Sequence, residues 1–133
     1  MKRITSAEAK ELNQNFVKTR GKAIDVAIKK KDAMSSWFSM DELKNFIANV
    51  EKEGVDKGIK VNGIRIYFGA YTNDDKNPEK KNLSTVFLVP TQAKIGSMQI
   101  DGFANEEASS DITDIDGLNR GGLGYPPSAT YPQ

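Results

Sequence analysis

The chain has 133 residues, 38% of them apolar and 28% charged, and a formal net charge of +1, which predicts one domain with a modest core and no overall pull towards nucleic acid or membrane. Cysteine and histidine are both absent, which excludes disulfides, thiolate nucleophiles, histidine acid–base catalysis, Ser-His-Asp triads and Cys- or His-ligated zinc.

In chain order, MKRITSAEAK carries bases but no apolar stretch of the kind a secretory signal needs. The longest apolar run anywhere, Val86–Val89, is four residues, so no membrane span is expected and the expected location is the cytoplasm, as a soluble protein. Thr5-Ser-Ala-Glu8 is a capping-box pattern and predicts a helix to about Thr19, with a narrow stripe at Ala9, Leu12 and Phe16. Gly21 reads either as a C-cap or as an interior glycine. Helical spacing then resumes over Ala23–Lys31, as a second helix or as the continuation of one long one. Trp37-Phe38 predicts a short strand at an edge of the sheet. Ser39-Met-Asp-Glu42 is a second capping box. After it, Leu43, Phe46, Ile47 and Val50 follow the spacing of one apolar helix face, and Gly54 and Gly58 punctuate its end.

The clearest β signal is a hairpin over about 63–71 and 84–90. In GIRIYFGAY, Ile64, Ile66, Phe68 and Ala70 share one face, read as the buried one, and Arg65, Tyr67, Gly69 and Tyr71 share the other. Thr72–Asn82 is a long polar connection. STVFLVP is apolar on both faces, as a more central strand would be, with Pro90 as its end. Ser97–Phe103 can supply one further strand, and Ser110-Asp111 can cap a short helix to about Asn119. The last residues, GGLGYPPSATYPQ, are too rich in Gly and Pro for a regular element, although Tyr125 and Tyr131 can anchor them. The predicted architecture is α+β: a small antiparallel sheet, made of the hairpin plus one or two short strands, with two or three helices packed on one face. It forms a single domain over 1–119, followed by a Gly/Pro-rich tail over 120–133.

Four places carry side chains capable of chemistry. On the polar face of the first hairpin strand, Arg65, Tyr67 and Tyr71 combine a guanidinium and phenols, which suit a carboxylate, a phosphate or a protein partner; an ordinary exposed sheet face has the same composition. Met1–Lys31 holds nine bases and three acids, and 101–116 holds six acids and no base. The basic segment reads as a solvated helix face that can also pair with the acidic one, and nucleic-acid binding through it is the weakest of the functional readings. Asp114, Asp116 and Gly117 resemble part of a calcium loop, but Ile112 and Leu123 stand where its first and last ligands belong. Arg120-Gly-Gly-Leu-Gly124 fits neither phosphate-binding glycine pattern. No catalytic residue, metal site or cofactor is therefore assigned.

SSWFSMDELKNFI, VNGIRIYFGAY, STVFLVPT and the glycine-then-Pro-Pro tail together resemble a group of small uncharacterised proteins from Bacteroidetes-type bacteria. The resemblance covers most of the chain. It implies a bacterial, free-standing, single-domain protein and carries no catalytic residue over. The leading expectation is a non-enzymatic binding or accessory protein whose partner is another protein. The alternative is a small-ligand binder, or an enzyme without His or Cys, using a pocket near Arg65 between the sheet and the tail.

Overall fold

The computed structural model describes residues 1–94, 108–119, 122–123 and 126–133. It is a mixed α+β protein with a three-stranded antiparallel sheet. The chain divides into two compact units. One comprises Met1–Trp37, Gly69–Thr85 and Gly121–Gln133, the other Phe38–Phe68 and Val86–Arg120.

In the first unit, α1 (Ser6–Phe16) opens on the expected box. The Thr5 hydroxyl accepts from the Glu8 N–H at 3.2 Å, and the Glu8 carboxylate accepts from the Thr5 N–H at 2.7 Å, so two otherwise orphaned helix donors are satisfied. The helix does not stop near Thr19. It runs through a π-helical turn, Val17–Gly21, into α2 (Lys22–Ile28). Gly21 is therefore interior and right-handed, with φ −58°. It is buried, and a Cβ there would sit 3.3 Å from the Phe16 carbonyl oxygen and 3.6 Å from the Met34 sulfur. The Thr19 hydroxyl donates back to the Asn15 carbonyl at 2.6 Å, a bond that competes with the regular ladder at the point where it widens. Lys29 ends α2 in the left-handed conformation. Asp25 then holds the turn, accepting from the Asp32 N–H at 2.8 Å and pairing with Lys31 at 3.3 Å.

Asp32 is fully buried. Its carboxylate accepts from the Ser84 N–H at 2.6 Å and from the Ser84 hydroxyl. The C-terminal residues hydrogen-bond within this unit: Met34 N–H to the Pro127 carbonyl at 2.9 Å, Tyr131 N–H to the Asn13 side chain at 2.9 Å, and the Gln133 amide to the Ser35 hydroxyl at 3.0 Å. The short strand at Trp37 is present as β1 (Ser36–Trp37), but it does not edge the hairpin sheet. It pairs antiparallel with β5 (Gly122–Leu123) in a separate two-stranded ribbon, and Trp37 is largely exposed.

In the second unit, α3 (Met40–Lys57) is capped by Ser39, whose hydroxyl accepts from the Glu42 N–H at 3.0 Å. It closes at left-handed Gly58: the Gly58 N–H returns to Val55 and the Ile59 N–H to Gly54, the paired bonds of a Schellman ending. Gly54 is not punctuation. It lies inside the helix, and a Cβ there would stand 2.6 Å from the Ile59 carbonyl oxygen and 2.9 Å from Val61, so its bareness lets the chain fold straight back into β2 (Val61–Ala70). The core is Val50, Ile112 and Ile115, with Phe46, Ile59, Val61 and Ile64 packed against it. Ile47, from the same predicted stripe, stays 44% exposed.

The sheet order is β2-β3-β4, with β3 (Ser84–Ala93) central. Pro90 does not end β3; the strand continues to Ala93 and Pro90 is buried. Its carbonyl accepts from the Ile112 N–H at 2.9 Å, so it supplies the acceptor half of that step, and the missing donor costs the ladder one bond. The expected helix after Ser110 is absent as well. Ser109–Asp111 is β4, in register Thr91↔Asp111, Gln92↔Ser110 and Ala93↔Ser109, and Leu118 forms an isolated bridge with Leu88. Between them the chain loops inward to bury Ile112 and Ile115. Their spacing of three mimics a helix face, but their neighbours' backbone groups are committed to β3. Gly117 permits the return, because a Cβ would lie 2.6 Å from the Leu88 carbonyl oxygen. The further strand expected over 97–103, and Tyr125, fall outside the described residues.

Candidate functional site on the hairpin

Strict alternation along β2 breaks once. Val61 and Ile64 both pack on the core, whereas Asn62 bonds to the Ser109 side chain and Arg65 to the Asp111 side chain. Ser109 and Asp111, two residues apart in β4, share a face, so Asn62 and Arg65 share it too, three apart. The pleat slips by one residue around Gly63, as at a β-bulge. From Ile64 onward the predicted faces hold, but their environments are not those expected. Ile66 and Phe68, expected on the buried side, are 62% and 90% exposed. Alternation places them beside Ile64; the core residues that cover Ile64 do not extend to them.

The opposite face carries a polar network. One Arg65 Nη donates to an Asp111 carboxylate oxygen and the other donates to the Ser109 carbonyl at 3.2 Å. The Tyr67 hydroxyl donates to the second Asp111 oxygen, and the Tyr67 ring stacks on Phe87, centroids 5.3 Å apart. Beside them the Thr91 hydroxyl donates to the Asn62 carbonyl oxygen at 2.7 Å, and the Asn62 amide to the Ser109 hydroxyl at 3.0 Å. Partial desolvation pulls the Arg65 pKa down, but the contacts with Tyr67 and Asp111 outweigh it and hold the group above the ordinary arginine range. Arg65 is thus a fixed cation, oriented by a carboxylate of its own chain.

Two of the three sequence-derived site residues, Arg65 and Tyr67, therefore converge on one carboxylate. Tyr71 belongs to the other unit, where the Thr85 hydroxyl donates to its phenol at 3.4 Å and Lys80 lies over its ring at 5.4 Å. Asp111, the centre of the network, reads from sequence as a capping acid and as one of six acids that could pair with the bases of 1–31, whereas the base it meets is Arg65. An open depression of about 330 Å³ borders the network, lined by Asn62–Ile66, Thr91 and Ser109, and a second of about 300 Å³ lies between α3 and β2, lined by Ile47, Val50, Glu51 and Val61–Ile64.

Among the described residues no group of three or more acidic side chains is placed to hold a metal ion, and no helix is long and apolar enough to cross a membrane. No known protein family, curated protein or solved structure matches the chain.

Proposed function

We propose that this is a non-enzymatic protein-binding module that engages its partner through β2. The observation that carries the reading is the exposure of Phe68 and Ile66 on a hydrogen-bonded strand. A bare phenylalanine on a rigid element is costly to hydrate and contributes most when a partner covers it. Arg65 and Tyr67, held by Asp111 on the other side of the same strand, add an oriented cation and a ring of the types enriched in interfaces. Affinity capture from a native lysate, run in parallel with Phe68→Ser, Arg65→Ala and Tyr67→Ala, tests it. A partner lost with Phe68→Ser and weakened by the other two is expected; partners retained equally by all three variants overturn the reading.

Small-ligand binding is favoured by one observation, the open depression at Arg65. Its lining comes from the strands, and the guanidinium there already serves Asp111 and Ser109. A thermal-shift screen of carboxylates and phosphates checks this second reading: a shift abolished by Arg65→Ala supports it, and a flat response removes it.

A further inference from the structure

The inference rests on the protein-binding reading and names the partner. We propose that the outer edge of β2 pairs with the same edge of a second copy of this chain, antiparallel, about a twofold axis at Ile66.

The backbone geometry sets which groups are available. Leu88 exchanges backbone hydrogen bonds with Leu118, at 2.9 Å each way, so the even-numbered residues of β3 face β4 and the odd-numbered ones face β2. Tyr67 stacks on Phe87, so Tyr67 directs its own backbone groups towards β3. By alternation Ile64, Ile66 and Phe68 direct theirs outward. Among the described residues β2 is the outermost strand of its sheet. Natural edges are protected by Lys, Pro or inward-pointing charge, and Ile64–Phe68 contains none of these; its one charge, Arg65, is paired with Asp111. Ile66 and Phe68 are 62% and 90% exposed, so this stretch of the strand is open to an approaching chain.

The sequence of this edge makes the second copy the occupant. Turned antiparallel on itself about Ile66, Ile-Arg-Ile-Tyr-Phe is self-complementary. Ile66 meets Ile66 of the other copy, Ile64 meets Phe68, and Arg65 meets Tyr67, while the two arginines are never opposite one another. Aliphatic–aromatic pairs are a favourable cross-strand combination, while Arg65 and Tyr67 stay turned inward to Asp111 and set no like charges against each other across the axis. Each outward-facing pair would also exchange two backbone hydrogen bonds. The contact is isologous and closes at two copies. A net charge of +1 puts little long-range repulsion between them.

Sedimentation equilibrium of the full chain, from low micromolar to millimolar concentration, reads the association. The expected result is a monomer–dimer equilibrium. Ile66→Lys sets two ammonium groups against each other at the axis and should leave a monomer, and Phe68→Ser should weaken dimerisation about tenfold or more. Both positions are exposed, and circular dichroism verifies that the variants fold. Because the chain has no cysteine, Ile66→Cys introduces the sole thiol. Paired residues at such an axis have Cα atoms about 5.5 Å apart, within disulfide reach, so mild oxidation should link two copies much faster than it links Lys44→Cys, an exposed position on α3. A chain monomeric at every concentration, a dimer indifferent to Ile66→Lys, or equal cross-linking of the two thiols overturns the proposal. A monomer that still captures a lysate protein through Phe68 overturns the self-pairing and leaves the protein-binding reading standing.

Discussion

Each unit contains an aspartate that fixes residues of that same unit, and the two do it differently. Asp32 is fully buried and is satisfied by one residue, Ser84, through both backbone and hydroxyl. Asp111 keeps 30% of its side chain exposed and is shared by Arg65 and Tyr67. The first carboxylate joins distant parts of the chain and presents nothing to solvent. The second fixes the direction of two surface side chains. Burial separates the roles: a buried acceptor stabilises by completing hydrogen bonds that have no alternative, whereas a half-exposed one competes with water and gains mainly orientation.

Removing each carboxylate should separate them. Asp32→Ala leaves the half-buried Ser84 N–H and hydroxyl without their acceptor and should cost about 2 kcal/mol, read as a lower midpoint in urea unfolding; Asp32→Asn, which keeps one acceptor, should fall between it and the native chain. Asp111→Ala should cost only about 1 kcal/mol in the same measurement, but it should broaden the Arg65 guanidinium and Tyr67 ring resonances in NMR as their positions are released. Tyr67→Phe, which keeps the stack on Phe87 and loses one hydroxyl, should cost about 0.5 kcal/mol. A result in which Asp111→Ala destabilises as much as Asp32→Ala would erase the distinction.

The smallest effect concerns a third carboxylate, that of Glu8. The backbone N–H of Thr5, and then its hydroxyl, hold the Glu8 pKa below its ordinary value of 4.5. A carboxyl depressed in the folded state adds stability above its unfolded pKa and loses it as pH falls through the folded one. Protection of the first-turn amides of α1, taken relative to intrinsic exchange at each pH, should therefore fall on acidification below about 4.5, and Glu8→Gln should flatten that dependence.

Local chemistry was legible in the sequence and long-range chemistry was not. The caps at Thr5 and Ser39 lie three residues from their partners, and the hairpin announces itself by period two. Alternation also grouped Ile64, Ile66 and Phe68 correctly. It could not say where the cover over that face ends, because cover comes from α3 and the 112–115 loop. Asp111 lies 46 residues from Arg65, and no short window contains both. The spacing of Ile112 and Ile115 fits a helix and an inward loop equally, and the backbone pairing with β3 decides between them. Pro90 was read by the rule that it lacks a donor, where what mattered was that it keeps an acceptor.

The π-helical turn at Val17–Gly21 has a consequence for how the first helix tolerates change. Such a turn carries roughly one more residue than regular α-helix would need over the same rise, so α1 and α2 differ in angular phase by about the 100° that one residue contributes. The helix is in effect spliced. A single-residue deletion between Val17 and Gly21 would restore an unbroken α-helix and swing Asn13 and Phe16 about the axis relative to Ile24 and Ile28, carrying Asn13 away from the Tyr131 N–H it now receives. The same deletion elsewhere on the helix would misalign the chain without any bulge to absorb it. Insertion and deletion scanning along Ser6–Ile28 would therefore map a phase joint that substitution scanning cannot see.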